Sequence, residues 1–199
     1  MTKTRIALLG TLSDLHKQPI RYDLAELAHI IVEAQPDLLG VEIERDEFEH
    51  DDLSRAPVEV REALVPLARR SDTVVVPIGA GSNEELRASG KGLRAALIRE
   101  LDALLAAVQK SANNPLRVNS ALVSHTCGLI CHLEERACGE RGRRAWETTN
   151  QKLLANILAM AERDPLARIL VAVQCRRKHW LEPKLRCRSE IELVNYWEL

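Results

Sequence analysis

Two histidines and one glutamate in this chain are the residues best suited to activate water: His16, Glu42 and His179. Two imidazoles and a carboxylate can hold a divalent metal such as Zn²⁺, Mn²⁺ or Co²⁺ and leave one position open for water. A bound metal would lower the pKa of that water toward about 7. Without a metal, the same side chains could work as a histidine general base assisted by the glutamate. The sequence predicts a water-activating group and leaves both versions open.

These residues belong to four polar clusters, and each cluster follows a short apolar run. The clusters span residues 10–16, 42–45, 79–83 and 174–179. In an open sheet of parallel strands, the carboxyl ends of the strands face one crevice, and ligands bind there. Residues that are distant in sequence would then meet around one cavity. This pattern favours a ligand-binding or catalytic protein over a structural one.

The apolar runs alternate with helical patterns, which predicts an α/β fold. Residues 5–10, 38–43, 73–78 and 168–174 form β-like runs, and residues 190–194 add a short terminal strand. A helix follows the capping pattern of Asp23 and Glu26 and ends before Pro36, and a second helix spans about 58–70. This alternation favours parallel pairing with right-handed crossovers.

A long helical insertion is predicted between strands three and four. The loop at 79–83 leads into it through a capping box of Ser82 and Glu85. Leucines at helical spacing continue to Val108, two further helices cover about 116–137 and 146–162, and a loop at 139–144 separates them. We therefore predict one three-layer α/β domain over residues 1–199. It has a parallel or mixed central sheet and a helical elaboration at about 83–163.

The order of short motifs along most of the chain resembles that of a known superfamily. Gly10 and Thr11 lie in ALLGTLSDLH, Glu42 is the last residue of PDLLGVE, Asn150 is the second residue of TNQKLLANI, and His179 lies in ILVAVQCRRKHWLEPKL after the late strand. This pattern resembles the TraB, TIKI and erythromycin-esterase-like superfamily, which also includes the haem-binding ChaN proteins.

The resemblance implies a hydrolase that cleaves an ester or peptide bond at the carboxyl edge of the sheet. Glu42, His16 and His179 would be its water-activating or metal-binding group, and Asn150 would position the substrate. Thr11 and Arg177 are the other residues expected to contact a small-molecule or peptide substrate. Ser13 stands where the first motif has histidine, and glutamine and cysteine replace the glycine of the last motif, so the chain would be a divergent member.

Each of these residues also has a structural explanation. Glu42 could form a buried ion pair with an arginine such as Arg45 or Arg5. His16 could be solvated in a polar loop, Asn150 could cap a helix, and His179 could lie in a basic surface loop.

Other motifs predict less. Asp14 and His16 match the D-x-H that opens calcineurin-like metallophosphoesterases, but the further metal-binding motifs of that family are missing downstream. Three cysteines and two histidines between residues 125 and 138 fall on opposite faces of one predicted helix, which favours buried thiols over a metal site.

Composition limits the remaining function classes. The chain has 199 residues and a formal net charge of −1, so no overall positive charge draws it to nucleic acid or to a membrane surface. No apolar run reaches spanning length, and five cysteines without signs of secretion favour a cytoplasmic location. The alternative to a hydrolase is a noncatalytic protein of the same fold that binds a ligand in the crevice, or a homo-oligomer formed through its leucine-rich helices.

Overall fold

The computed structural model describes residues 3–80 and 92–199, and its centre is a five-stranded sheet in which every strand pair is parallel. The strands are β1 (Thr4–Thr11), β2 (Leu38–Val41), β3 (Val74–Pro77), β4 (Ile169–Gln174) and β5 (Ile191–Val194). Their order across the sheet is β3-β2-β4-β1-β5. The late strand β4 therefore lies between β1 and β2, and the three strands end side by side.

Both faces of the sheet are covered, which confirms the three-layer α/β prediction. Along β1, Ile6 and Leu8 pack on one side while Ala7 and Leu9 pack on the other, and all four are buried. The first side is covered by the carboxyl-terminal part of the long helix α6 (Ala121–Arg163) and by α7 (Cys175–Arg186). The second side is covered by α1 (Leu24–Ala34) and by the helical segment 58–68.

The helix α1 begins as the sequence predicts. The Asp23 side chain accepts a hydrogen bond from the Glu26 amide at 2.9 Å, and the helix ends at Ala34, before Gln35, whose φ is 44°. Short helical elements complete this half of the molecule: a 3₁₀ turn (Ser13–Lys17), α2 (Arg45–Glu49), a π-helical turn (Val60–Leu64) that continues into α3 (Val65–Ala68), and a final 3₁₀ turn (Tyr196–Glu198).

The insertion between β3 and β4 consists of α4 (Leu93–Ala112), the short α5 (Pro115–Val118) and α6. The predicted break between two helices is present at Gly139, where the chain kinks with φ 76° and ψ −176°. The predicted loop at 139–144 is too long, because residues 140–144 are helical. Glutamate and arginine support a helix nearly as well as alanine, and Glu140 pairs with Arg144 one turn later at 2.5 Å. In the described residues no helix is long and apolar enough to cross a membrane. The predicted capping box of Ser82 and Glu85 lies outside the described residues.

The basic run after β4 is also helical. Residues 175–186 form α7, and the side chains of Arg177 and Lys178 in its first turn are buried. The expectation of a basic surface loop is therefore wrong. Leu181 and Leu185 pack the next turns of α7 against the sheet. Because the helix is packed in this way, Arg177 and Lys178 in its first turn are buried as well.

Candidate functional site

The carboxyl ends of β1, β2 and β4 open onto a cavity of about 870 Å³. Three of the six predicted site residues line it: Thr11, Glu42 and Arg177. Part of the opposite wall comes from α4 through Asp102 and Gln109. The prediction of a shared cavity at this edge of the sheet is therefore matched by the geometry, although the cavity does not include the two histidines.

Glu42 forms a buried ion pair at the floor of the cavity. Its Oε2 lies 3.2 Å from Nε of Arg177, and the two side chains are 7% and 2% exposed. The other oxygen, Oε1, accepts a hydrogen bond from the Gln174 amide at 2.6 Å. The explanation of Glu42 as a buried ion pair thus holds, with Arg177 as the partner instead of Arg45 or Arg5. The pair ties the beginning of α7 to the end of β2.

His16 is buried and supports the loop that follows β1. Its Nε2 accepts a hydrogen bond from the Leu12 amide at 2.9 Å, and its Nδ1 lies 2.7 Å from the Tyr22 carbonyl oxygen. Because an amide only donates and a carbonyl only accepts, the proton must be on Nδ1 of a neutral ring. Burial lowers the pKa of His16, in keeping with this state. Both nitrogens are therefore engaged by backbone groups, and the expectation of a solvated side chain is wrong.

His179 lies between α7 and α6, away from the lining of the cavity. Its ring packs on Gly128, where an added Cβ would be 3.1 Å from the ring. Burial lowers the pKa of His179 to about 4, and the positive charges of Arg176 and Lys184 act in the same direction. An interaction with the backbone of Cys175, one turn earlier in α7, opposes this fall in pKa.

Asn150 is completely buried in the interior of α6, so its predicted role as a helix cap is wrong. Neither polar atom of its side chain has a hydrogen-bond partner in the part of the chain that the structure describes. One turn earlier, the ring of Trp146 lies 5.4 Å from the guanidinium carbon of Arg177. Asn150 therefore follows the face of α6 that meets Arg177, although it does not line the cavity.

A metal does not fit the predicted ligands. Among the described residues, no three His, Cys, Asp or Glu side chains are grouped so that they could hold an ion. His16 has both nitrogens engaged, and Glu42 is paired with Arg177. The prediction that His16, Glu42 and His179 share a metal is therefore wrong for this arrangement of side chains.

Glu59, a buried carboxyl beside the cavity, is not among the residues predicted from the sequence. This residue is 1% exposed, and its Oε1 lies 2.5 Å from Oγ1 of Thr11, which lines the cavity. Burial raises the pKa of Glu59 to about 7, the hydrogen bond from Thr11 opposes this rise, and the negative charge of Glu42 adds to it. A carboxyl in this range can hold or release a proton at neutral pH.

Two backbone features surround Glu59 and Thr11. Ser13 lines the cavity with a φ of 50°, a left-handed conformation that is uncommon for residues other than glycine. Glu59 itself comes directly before the π-helical turn, and π-helical turns inside helices are frequent at functional sites. The Ser13 amide also lowers the pKa of the Glu59 carboxyl. Local backbone geometry therefore holds Thr11 and Glu59 together at the end of β1.

A second buried carboxyl group lies between the insertion and α7. Arg176 contacts Asp102 at 2.8 Å and Glu134 at 3.5 Å, and the Glu134 side chain is 4% exposed. Burial raises the pKa of Glu134 to about 7, which the charge of Arg176 opposes. Asp102 and Arg176 line the cavity, whereas Glu134 does not. This cluster attaches the helical insertion to the edge of the sheet.

Two of the three cysteines predicted to be buried thiols on α6 are buried, whereas Cys138 is half-buried. All five are free thiols, Cys127 and Cys131 are buried, and His125 and His132 are exposed on the other side of α6. Burial raises the pKa of the Cys127 thiol to about 11, which makes this thiol a poor nucleophile at neutral pH.

Comparisons with known proteins do not assign a family. No protein-family model matches the chain, and no curated protein or solved structure is significantly similar to it. The resemblance to the TraB, TIKI and erythromycin-esterase-like superfamily therefore stays a prediction from the motifs.

Proposed function

We propose that this protein hydrolyses an ester or peptide bond of a small polar substrate in the cavity at the carboxyl edge of the sheet. The observation that carries the proposal is the contact between Thr11, a lining residue of the cavity that is 2% exposed, and Glu59. The Thr11 hydroxyl is hydrogen-bonded to this buried carboxyl, whose pKa is about 7. A hydroxyl that is hydrogen-bonded to such a carboxyl can pass protons between the carboxyl and a water molecule in the cavity. The superfamily resemblance, with Thr11 and Glu42 at this edge, is part of the same proposal.

The proposed step uses Thr11 as a proton relay. A water molecule in the cavity attacks the carbonyl carbon and passes its proton to Oγ1 of Thr11 as Thr11 passes its own proton to Glu59. When the bond to the leaving group breaks, Glu59 returns the proton by the same route to the leaving oxygen or nitrogen. General acid and base catalysis of this kind is most effective when the pKa lies near the working pH.

Glu42 has a positioning role in this proposal instead of the catalytic role first expected. Its carboxylate forms an ion pair with Arg177 and accepts a hydrogen bond from the Gln174 amide, so it is not available to activate water. Its negative charge instead favours the protonated form of Glu59. Two carboxyls with different environments are a recurring way to divide acid and base roles.

The lining of the cavity favours a substrate that carries both signs of charge. Four arginines and five acidic residues contribute to the walls: Arg55, Arg61, Arg176, Arg177, Asp14, Glu42, Glu44, Glu47 and Asp102. A short peptide or an amino-acid ester has the charges to meet such a surface, whereas a strongly anionic substrate would meet repulsion. This supports the peptide or ester class and disfavours nucleic acid.

The test is a hydrolysis screen with purified wild-type protein, carried out on peptide and ester libraries with and without a chelator. We expect turnover that survives the chelator and that falls at least about 100-fold in Glu59→Gln and in Thr11→Val. Glu192→Gln, which changes an exposed glutamate on β5, is the matched control and should keep full activity. Turnover that is lost with the chelator, or that is unchanged in Glu59→Gln, would refute the relay.

A noncatalytic ligand-binding protein is the second proposed function. It is favoured by the engagement of Glu42 with Arg177 and of both His16 nitrogens with the backbone, which leaves these predicted catalytic groups as supports of the cavity. The same screen separates the two functions: thermal stabilisation by a library compound without any turnover supports the binding protein.

A further inference from the structure

The helical insertion exposes an unusual number of leucines. Among the described residues, eleven large apolar side chains are at least 43% exposed, and six of them lie on α4 and α6. We call these six residues the leucine face: Leu93, Leu97, Leu104, Leu122, Leu129 and Leu133. Single exposed apolar residues are ordinary, but a contiguous exposed patch marks an interaction site.

The six leucines lie on one side of the α4 and α6 pair. The two helices pack through Leu101 and Leu105 of α4 against Cys127, Ile130 and Cys131 of α6. At about 100° per residue, the leucines of each helix fall within about 40° of one another. The two helices run antiparallel, because Arg94 near the beginning of α4 lies beside Gly139, whereas Leu105 packs near Cys127. Both stripes are rotated in the same sense away from the packed residues, so in antiparallel helices they lie on the same side.

The leucine face is directed away from the cavity. Asp102, Ala106 and Gln109 of α4 line the cavity, and helical spacing places them roughly 150° around the helix from the stripe of Leu93, Leu97 and Leu104. On α6, Gly128 faces α7 through the ring of His179, again on the side opposite to the leucines. Anything bound to the leucine face would leave the cavity free.

We infer that the leucine face joins two copies of this chain into a symmetric dimer. Two helices from each copy would form a four-helix arrangement, in which apolar stripes of this kind are normally buried. A twofold axis uses the same patch on both copies, so a single apolar surface serves as its own partner.

The size of the face suits this partner. The α4 helix has 20 residues, which gives a length of about 30 Å, and two helices side by side are roughly 20 Å wide. The contact would bury roughly 600 Å² per copy, or about 1,200 Å² in total, which reaches the range of specific interfaces. The exposed Glu100 and Arg136 place one negative and one positive charge on the same side as the leucine face. Two copies that associate through this face would therefore not repel each other through like charges.

The test is the mass of the full-length chain in solution, measured by sedimentation velocity over a concentration series. We expect the wild-type protein to sediment at twice the 22.3 kDa chain mass. In the double variant Leu104→Arg, Leu129→Arg, the dimer dissociation constant should rise at least about 30-fold. The matched control Leu166→Arg changes a leucine that is 82% exposed outside the face and should leave the dimer intact.

Circular dichroism and thermal unfolding establish that each variant is folded, and Leu97→Lys with Leu133→Lys replaces the first pair if that pair does not fold. A wild-type chain that is monomeric both at about 200 µM and after 100-fold dilution would overturn the proposal. So would a dimer that survives substitution of the leucine face. If the monomer instead floats with phosphatidylglycerol vesicles, the face belongs to a lipid surface, and the dimer is again refuted. Hydrolysis by the monomeric variant reports on the cavity separately.

Discussion

Breaking the ion pair between Glu42 and Arg177 should destabilise the protein far more than breaking a surface pair. The two side chains are 7% and 2% exposed, and the Nε to Oε2 distance is 3.2 Å. Replacing Arg177 leaves the buried Glu42 charge without its arginine partner, and a loss of this kind typically costs about 3–5 kcal/mol. For a chain of this length, that loss corresponds to a fall in the melting temperature of roughly 10 °C.

Each single substitution removes a defined part of the pair. Arg177→Met keeps an unbranched side chain beside Trp146 and removes the guanidinium, so that Glu42 retains the hydrogen bond from the Gln174 amide. Glu42→Gln keeps the shape and removes the charge. In the double variant neither residue carries an uncompensated charge, so the combined loss should be smaller than the sum of the single losses by at least about 1.5 kcal/mol.

The measurement is urea unfolding at pH 7, followed by circular dichroism, for the wild type, the two single variants and the double variant. The matched control is Arg168→Met. Arg168 pairs with Asp37 at 3.1 Å, but the two side chains are 42% and 49% exposed, so its loss should cost less than about 1 kcal/mol. Equal losses for Arg177→Met and Arg168→Met, or strictly additive single variants, would refute the assignment of a buried pair at the cavity floor.

Three further predictions concern groups around the site. Because the pKa of Glu59 is raised from 4.5 to about 7, its contribution to stability is complete below pH 4.5 and is lost as the pH rises through 7. Glu59→Gln should remove up to about 3 kcal/mol of this decline in urea unfolding, and an unchanged pH dependence would contradict it. The pKa of His179 is lowered to about 4, so its contribution to stability is present above pH 6.5 and is lost as the pH falls toward 4. His179→Gln should reduce the loss of unfolding free energy between pH 6.5 and 4. An unchanged loss would count against the burial of the ring. Gly79→Ala would place a Cβ 2.4 Å from the carbonyl carbon of Ile43, and thermal unfolding should show a loss of about 1–3 kcal/mol or more, whereas a neutral effect would mean that this backbone contact is not formed.

The layout of the fold could be predicted because it depends on local patterns. Continuous apolar runs such as Ile169–Gln174 identify strands buried on both faces, and the alternation with helices predicts parallel pairing. The same reasoning places polar strand ends at one edge, where the cavity lies. The break at Gly139 could be predicted from its glycine, but the predicted loop at 139–144 is too long because the charged residues that follow Gly139 favour a helix.

The partners within the site could not be predicted, because they depend on tertiary packing. Glu42 pairs with Arg177 only because a helix begins directly after β4 and turns a basic residue inward. The role of His16 depends on two backbone groups that the sequence does not reveal. The sequence contains one indication of Glu59, which lies between Val58 and Val60 in a segment predicted to be helical. A carboxyl between two buried valines requires a hydrogen-bond partner if it is itself buried.

The central claim is that a carboxyl beside the cavity exchanges a proton near neutral pH, and carbon-13 NMR titration of the glutamate carboxyl carbons tests it most directly. The resonance that disappears in Glu59→Gln should titrate with a pKa of about 7 and should shift when Thr11 is changed to valine. If that resonance titrates near pH 4.5, Glu59 is an ordinary carboxylate, and the proposed proton relay does not operate.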